Sequence, residues 1–232
     1  MKLYVGTSGF SYKQWKGKFY PRGLPERQML HYYGEHFRAV EINHTFRRMP
    51  EPSTLKDWAD SVPADFVFAL KAPQRITHFQ RLKPAGGSLS ELVKVSDALK
   101  RRLGPLLFQL PANFRKDVPR LSDFLANLRS RRRAAFEFRN ASWFDDEVFG
   151  LLQHHQAALC FSDELDDLKV PFIATANWGY LRLRQTTYGN KSLKDWLRLA
   201  RKQEWNDAFV FFKHEDEATG PALATRFVKL AG

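Results

Sequence analysis

Ionisable and amide side chains stand at the carboxyl ends of several short apolar runs in this sequence. Glu41 and Asn43 close the run that begins at Ala39, and because side chains alternate along a strand, both point to the same face. Four further runs end in the same way. Their polar members are Lys71, Gln109, Glu137, Arg139 and Arg182. Charged groups in buried strands are costly unless they pair or serve a function, so this set is the candidate site.

These residue types indicate proton transfer and anion binding. Glu41 or Glu137 can act as a general base. Lys71 can polarise a carbonyl group or, if burial lowers its pKa, form a Schiff base. Nearby carboxylates oppose that lowering of the pKa, which makes the Schiff-base role the lesser hypothesis. Guanidinium groups bind phosphate or carboxylate through two parallel hydrogen bonds. The expected ligand contacts are Asn43, Gln109, Arg139 and Arg182.

The loop after the third run adds two candidates, His78 and Arg81, which can reach an anion at the same end of the sheet. Signals for a metal are weak. An acidic run is typical of a solvated loop, and the sequence has neither an HExxH motif nor a cysteine cluster. The members of that run are Asp163, Glu164, Asp166 and Asp167. The sequence therefore predicts neither a metal nor another cofactor.

Eight apolar runs must position these residues. They are Leu3–Thr7, Ala39–Asn43, Phe66–Lys71, Leu106–Leu110, Ala134–Phe138, Ala157–Ser162, Tyr180–Arg184 and Ala208–Lys213. Near-continuous apolar stretches of this length are typical of parallel strands buried on both faces. The first turn, Gly6–Phe10, lacks the glycine fingerprint of an open dinucleotide-binding sheet. Repeated alternation of strand and helix therefore favours a compact α/β fold, a (β/α)8 barrel of TIM type, whose strand ends meet at one mouth.

Helical periodicity appears between most of these runs. The predicted helices are Glu26–His36, Ser53–Ser61, Leu89–Leu103, Val118–Ser130, Glu147–His155, Leu193–Gln203 and Pro221–Leu230. The segment 163–177 has the weakest helical pattern, and we expect a loop or a broken helix there.

Length and composition limit the class of protein. The chain has 232 residues, of which 44% are hydrophobic, enough for one large core and a single domain over residues 1–232. No apolar run approaches the roughly 18 residues of a membrane span, and the N-terminus lacks the apolar region of a signal peptide. The single cysteine, Cys160, cannot form an internal disulfide, which favours a cytoplasmic location.

The positive charge is concentrated in one part of the chain. The formal net charge is +12, and residues 75–139 hold 15 basic and 5 acidic residues. Many of these basic residues end predicted helices, where they complement the helix dipoles at the bottom of a barrel. The same excess is compatible with a nucleic-acid surface, although no recognition motif accompanies it.

Five groups of residues resemble the signatures of the YecE-like family, domain-of-unknown-function family 72. They are Gly6–Tyr12 with Trp15 and Phe19–Pro21; Val40–Asn43 with Thr45 and Phe46; Phe68–Pro73 with Ile76–His78, Arg81 and Leu82; Leu103–Pro105 with Gln109–Pro111 and Phe114; and Glu137–Arg139 with Ser142 and Trp143. The resemblance covers most of the chain in the family's order. It implies a TIM-type barrel but no established activity. Departures from the family pattern occur at Phe10, Arg47 and the pairs Arg184-Gln185 and Lys213-His214.

Three hypotheses for function follow. The first is an enzyme or binder that acts on a small anionic metabolite, phosphorylated or carboxylated, by lyase, isomerase or hydrolase chemistry. The second is a nucleic-acid-associated protein that uses the basic region Arg75–Arg139. The third is a non-catalytic scaffold in which the charged residues of the mouth only pair with one another. The sequence does not fix the oligomeric state.

Overall fold

Eight parallel strands close into a barrel in chain order, with β8 pairing to β1. Our computed structural model describes residues 1–84, 86–128, 132–163, 168–213 and 216–232. The strands are β1 Lys2–Ser8, β2 Ala39–Ile42, β3 Val67–Lys71, β4 Leu103–Gln109, β5 Ala134–Glu137, β6 Ala158–Ser162, β7 Trp178–Leu183 and β8 Asp207–Phe212. The (β/α)8 barrel predicted from the sequence is confirmed, and each predicted run forms a strand whose bounds differ by a few residues at most.

Seven α-helices surround the barrel within the described ranges. They are α1 Met29–His36, α2 Pro52–Asp60, α3 Ser88–Ser96, α4 Val118–Asn127, α5 Asp146–His154, α6 Asn190–Lys202 and α7 Thr219–Ala231. The connection from β6 to β7 is irregular over its described residues 168–177, as the sequence predicts. Each helix packs an apolar face against the strands, because a barrel strand is buried on both faces.

Two predicted helices are replaced in part by 3-10 segments. α3 ends at Ser96, seven residues before the predicted end at Leu103, and a 3-10 segment, Asp97–Arg102, leads into β4. Lys100 has a φ of 50°, which breaks the helical path. α1 starts at Met29 rather than Glu26, because the preceding residues, Glu26–Gln28, form a 3-10 turn. Helical periodicity alone does not separate α-helical from 3-10 turns, which explains both differences.

Small residues on several strands make room for large ones inside the barrel. Its core cluster has alanines on β2, β3, β5 and β6 and aromatic residues on β7 and β8. Gly6 on β1 is required by this packing, since a Cβ atom there would lie 1.8 Å from the Ala39 carbonyl oxygen. In place of a side chain at Gly6, the Tyr33 hydroxyl enters from α1 and accepts a hydrogen bond from the Thr7 amide at 2.7 Å. The interior is therefore a packed core rather than a pore.

Several basic residues of the 75–139 region hold the lower end of the barrel together. Arg102 donates to the carbonyl oxygens of Val62 and Pro63, just beyond α2, at 3.3 and 3.2 Å. Arg132 forms an ion pair with Asp97. Arg129 and Arg131, which belong to the same predicted cluster, lie outside the described residues. Part of the basic excess thus makes contacts within the chain. None of the described helices combines the length and the apolar character needed to cross a membrane.

Candidate functional site

Three charged side chains meet inside the barrel near the carboxyl ends of the strands. Glu41 on β2 and Arg182 on β7 are fully buried, and Glu137 on β5 is 1% exposed. Strand alternation places all three on the same side as the residues that line the barrel interior. The structure therefore brings together groups that are separated by up to 141 positions in the sequence.

Arg182 lies between the two carboxylates. Its Nε and Nη2 atoms donate to Glu41 Oε2 and Oε1 at 2.9 and 2.7 Å, so this pair is bidentate. Its Nη1 atom donates to Glu137 Oε2. Nη2 also donates to the Asn43 side-chain oxygen at 3.3 Å. A guanidinium has five N–H donors, so most of the donors of Arg182 are engaged within the protein. The ligand contact expected of Arg182 from the sequence stays a prediction.

Glu41 has two further partners that the sequence analysis missed. Ser8 Oγ donates to Glu41 Oε1 at 2.8 Å, and the Tyr180 hydroxyl donates to Glu41 Oε2 at 2.7 Å. Asn43 Nδ2 donates to Oε1 at 2.9 Å. Tyr180 stands two residues before Arg182 on the same strand, so the period of two places both on the inner face. That spacing was the signal that could have identified Tyr180.

Arg139 completes the pairing of Glu137. Its Nε and Nη2 atoms donate to Glu137 Oε1 at 2.8 and 2.6 Å. The Arg139 side chain is 20% exposed, so it links the buried cluster to solvent at the mouth. Each carboxylate in the barrel is thus held by arginine side chains.

The pairing fixes the protonation state of both carboxylates. Burial raises the pKa of Glu41, but the Arg182 charge and hydrogen bonds from Arg182 and Tyr180 outweigh it and lower the pKa to about 2. The pKa of Glu137 is also about 2, because the charges of Arg182, Arg184 and Arg139 outweigh its burial. Both groups are therefore ionised at neutral pH, and their low basicity makes them poor general bases.

Lys71 ends β3 close to this cluster but is not paired with it. Its Nζ atom lies 4.1 Å from the centroid of the Phe46 ring, and within the described residues it has neither an ion-pair partner nor a hydrogen-bond acceptor. Burial and then the Arg182 charge lower the pKa of Lys71 to about 8, against the opposing charges of Glu41 and Glu137. A cationic neighbour and desolvation are the two conditions that activate a lysine amine.

His78 lies beside Lys71. Its ring contacts the Phe46 ring edge-to-face, with centroids 5.0 Å apart, so Phe46 contacts both residues. Nδ1 of His78 lies 2.9 Å from Thr77 Oγ1. Burial, followed by the charges of Lys71 and Arg139, lowers the pKa of His78. These residues lie in and beside the π-helical turn Arg75–Phe79, a rare geometry that is frequent at functional sites.

Ser162 is a buried polar residue whose hydroxyl has no hydrogen-bond partner among the described residues. It is 7% exposed, and strand pairing aligns it with Arg182, so it faces the interior at the level of the cluster. Its hydroxyl oxygen makes no hydrogen bond within the structure. A buried hydroxyl is normally bonded, and a ligand is one of the explanations for an unbonded hydroxyl at a mouth. Sequence analysis noted that β6 ends here but did not single out this residue.

The remaining sequence candidates occupy two places. Gln109 aligns with Glu137 and faces the interior, where it is half-buried. Arg81 lies 5.8 Å from the centroid of the Phe114 ring, in a surface groove that also contains Lys116. The structure shows no contact between the described mouth residues and Arg81. Gln109 thus belongs to the mouth, whereas Arg81 lies to the side of it.

The acidic run after β6 is described only at its first residue. Asp163 accepts hydrogen bonds from the Arg184 amide, at 2.6 Å, and from the Tyr188 hydroxyl. Burial raises the pKa of Asp163 despite these bonds. Glu164, Asp166 and Asp167 lie outside the described residues. Within the described residues, no three His, Cys, Asp or Glu side chains cluster in a way that would hold a metal ion.

Comparison with known proteins assigns the family. The model of the protein family of unknown function DUF72 matches residues 4–232. The chain belongs to the DUF72 family. UPF0759 protein YecE of Escherichia coli K12 is 29% identical over 143 residues, which cover 61% of this chain and 50% of YecE. UPF0759 protein YunF of Bacillus subtilis is 23% identical, over 91% of this chain and 88% of YunF. The chain therefore spans about half the length of YecE and most of YunF.

Solved structures of DUF72 proteins have the same fold. A DUF72 family protein from Thermotoga maritima superposes with a TM-score of 0.80 and 26% identity, covering 99% of both chains. A DUF72 family protein from Enterococcus faecalis gives a TM-score of 0.79 at 18% identity, covering 99% of this chain and 95% of that one. The second likeness supports the fold alone. The family resemblance seen in the sequence motifs is thus confirmed, and it carries no assigned activity.

Proposed function

We propose that this DUF72 protein binds a small anionic metabolite, phosphorylated or carboxylated, at the carboxyl-terminal mouth of its barrel. The observation that carries the proposal is the charge balance there. At or just beyond the described inward-facing strand ends, five cations accompany two carboxylates. The cations are Lys71, Arg139, Arg182, Arg184 and Lys213, and the carboxylates are Glu41 and Glu137. The field of this excess of positive charge attracts an anion.

The internal ion network has a supporting role in this proposal. Arg182 and Arg139 together balance the charges of Glu41 and Glu137, and the network holds β2, β5 and β7 at a fixed spacing. Rigid strands position ligand-binding groups more accurately than loops do. In a non-catalytic scaffold, each polar or charged group at the mouth would be paired with another group of the protein. The unbonded Ser162 hydroxyl and the unpaired Lys71 ammonium depart from that expectation.

The ligand would be held in two parts. The Ser162 hydroxyl and the guanidinium groups of Arg139 and Arg184 would bind the anionic group, and Lys71 would face the rest of the molecule. Since this arrangement uses residues of several strands, it is the usual layout of a site on this fold.

Replacing Ser162 with alanine tests the proposal. We expect affinity for inorganic phosphate or pyruvate, measured by isothermal titration calorimetry, to fall roughly five- to tenfold, because one hydrogen bond to a charged ligand is lost. The free energy of unfolding should stay unchanged, since the hydroxyl has no hydrogen-bond partner in the described part of the chain. Ser96→Ala is the matched control: its hydroxyl donates to the Val93 carbonyl oxygen at 2.8 Å, so the change should lower stability and leave affinity unaltered.

Two results would count against the proposal. One is wild-type protein that shows no heat of binding at millimolar phosphate or pyruvate. The other is a Ser162→Ala protein with wild-type affinity and lower stability, which would make Ser162 a structural residue. Binding should also weaken as ionic strength rises, because screening reduces the attraction of the mouth for an anion.

A further inference from the structure

We propose that Lys71 is a nucleophilic amine that condenses with an aldehyde or ketone carbon of the ligand to form an imine. This inference rests on the proposed anion site and names the substrate class more closely, as a carbonyl compound that carries a phosphate or carboxylate. The amine of Lys71 makes no ion pair with the network among the described residues. The experiment below distinguishes a failure of the imine from a failure of the anion site.

The first support is that Glu41 and Glu137 form their ion pairs with arginine and not with Lys71. From the sequence, Glu41 and Glu137 were expected to keep Lys71 protonated. In the structure Glu41 accepts two hydrogen bonds from Arg182, and Glu137 accepts hydrogen bonds from both Arg182 and Arg139. Their charges are directed at arginine, and Lys71 is left without a carboxylate partner in the described part of the chain. Glu41 and Glu137 therefore act on Lys71 only from a distance, and the lysine cation lacks the direct carboxylate contact that a buried charge normally has.

The second support is the environment of the amine. Lys71 is half-buried at the end of a rigid strand, and its Nζ atom faces the Phe46 ring. The charges of Arg182 and Arg184 act against a further positive charge and lower the pKa of Lys71, with burial as the larger cause. At pH 7.5, a pKa of about 8 leaves about a quarter of the amine unprotonated. A lysine at the ordinary value of 10.5 leaves about one molecule in a thousand unprotonated.

The reaction balances without an oxidant, a reductant or a cofactor. The lone pair of Nζ attacks the carbonyl carbon, the electron pair of the C=O π bond moves to oxygen, and a proton moves from nitrogen to oxygen to give a carbinolamine. Loss of that hydroxyl group as water breaks the C–O bond and forms the C=N bond. Amine and carbonyl compound thus give imine and one water molecule. His78, which contacts the same Phe46 ring as Lys71, is the titratable group placed to move these protons.

An imine at Lys71 would favour two of the three reaction classes, lyase, isomerase and hydrolase, that the sequence allows. A protonated imine accepts electrons from a bond at the adjacent carbon, which is the step shared by many lyases and isomerases that act next to a carbonyl group. It offers no corresponding advantage to hydrolysis. The inference therefore favours lyase or isomerase chemistry over hydrolysis.

Reductive trapping with glyoxylate, an aldehyde that carries a carboxylate, tests the imine. The full chain is incubated at pH 7.5 with glyoxylate and sodium cyanoborohydride, which reduces the imine to a stable secondary amine, and peptide mass spectrometry then gives the labelling rate of each lysine. We expect Lys71 to be labelled at least roughly ten times faster than the exposed Lys194 on α6, because burial and the neighbouring arginines favour the neutral amine of Lys71. Inorganic phosphate should slow the labelling of Lys71 and leave that of Lys194 unchanged.

The Lys71→Arg variant and a binding measurement separate the two proposals. Lys71→Arg keeps the positive charge but has no amine that can be neutral near pH 7, so it should lose the fast label. Phosphate binding is measured on the wild-type protein. Normal phosphate binding with equal labelling of Lys71 and Lys194 would overturn the imine and leave the anion site standing. Fast labelling of Lys71 at a rate that phosphate does not change would overturn the anion site. It would also overturn the assignment of the substrate as a carbonyl compound with an anionic group.

Discussion

The Arg182→Met protein is expected either not to fold or to lose about 3–5 kcal/mol of its free energy of unfolding. Arg182 is fully buried and bonds to both Glu41 and Glu137, so its removal leaves two buried carboxylates without their shared partner. An uncompensated buried charge has a cost of this size. Because a domain is stable by only about 5–15 kcal/mol in total, the change takes a large share of that stability. Guanidinium denaturation monitored by tryptophan fluorescence measures the loss.

Two controls make this expectation specific. Arg198→Met removes the same charge from an exposed ion pair with Asp195 and should change stability by less than about 1 kcal/mol. The triple variant Glu41→Gln, Glu137→Gln, Arg182→Met removes all three charges together and should recover part of the lost stability. An Arg182→Met protein within 1 kcal/mol of the wild type would show that the network does not depend on Arg182 as described here.

Acid is expected to destabilise the protein strongly below pH 4.5. The pKa of Glu41 and of Glu137 is about 2 in the folded protein, against an ordinary value of 4.5. A lowered folded-state pKa gives stability that is fully present above the unfolded value and is lost as pH falls through the folded value. Protonation of each carboxylate should therefore lower the free energy of unfolding by about 3 kcal/mol by pH 2, and this loss should begin near pH 4.5. Denaturation curves at pH 6, 5, 4, 3 and 2 measure this slope.

The contribution of a single carboxylate can be isolated in the same experiment. Glu137→Gln should flatten the pH dependence between pH 4.5 and pH 2, whereas Glu91→Gln, at an exposed position on α3, should not. Asp163 acts in the opposite direction, since burial raises its pKa, but it is one group against two. Wild-type stability that stays constant from pH 5 to pH 2 would contradict the assignment of both carboxylates to the buried network.

The barrel could be predicted from the sequence because its main signal is local. Buried parallel strands are nearly continuous apolar runs, and eight such runs are visible without any knowledge of contacts. The bounds were less accurate, as at α3, because the six residues Asp97–Arg102 form a 3-10 segment that the helical pattern does not distinguish. In a closed barrel the carboxyl ends of all strands meet at one mouth. The sequence therefore also predicts that Glu41, Glu137 and Arg182 lie close together.

The hydrogen-bond partners within that group could not be predicted from strand periodicity. Periodicity indicates which face a side chain occupies, but not which of several charged neighbours it bonds to. Arg182 was expected to hold a ligand, and in the structure its donors go mainly to Glu41 and Glu137. Lys71 was expected to be kept protonated by those same carboxylates. The hydrogen-bond geometry shows instead which partners these charged groups have within the protein. Ser162 became a candidate only because its hydroxyl lacks a partner, which is a property of the folded chain.

The titration of Lys71 in the wild-type protein tests the central claim most directly, namely that the two carboxylates are committed to arginine and leave this amine without a partner. Competitive acetylation at a series of pH values, read out by mass spectrometry, gives the pKa of each lysine separately. The account predicts a pKa of about 8 for Lys71. A value near the ordinary 10.5 would mean that a carboxylate or solvent stabilises the cation, and it would contradict the account.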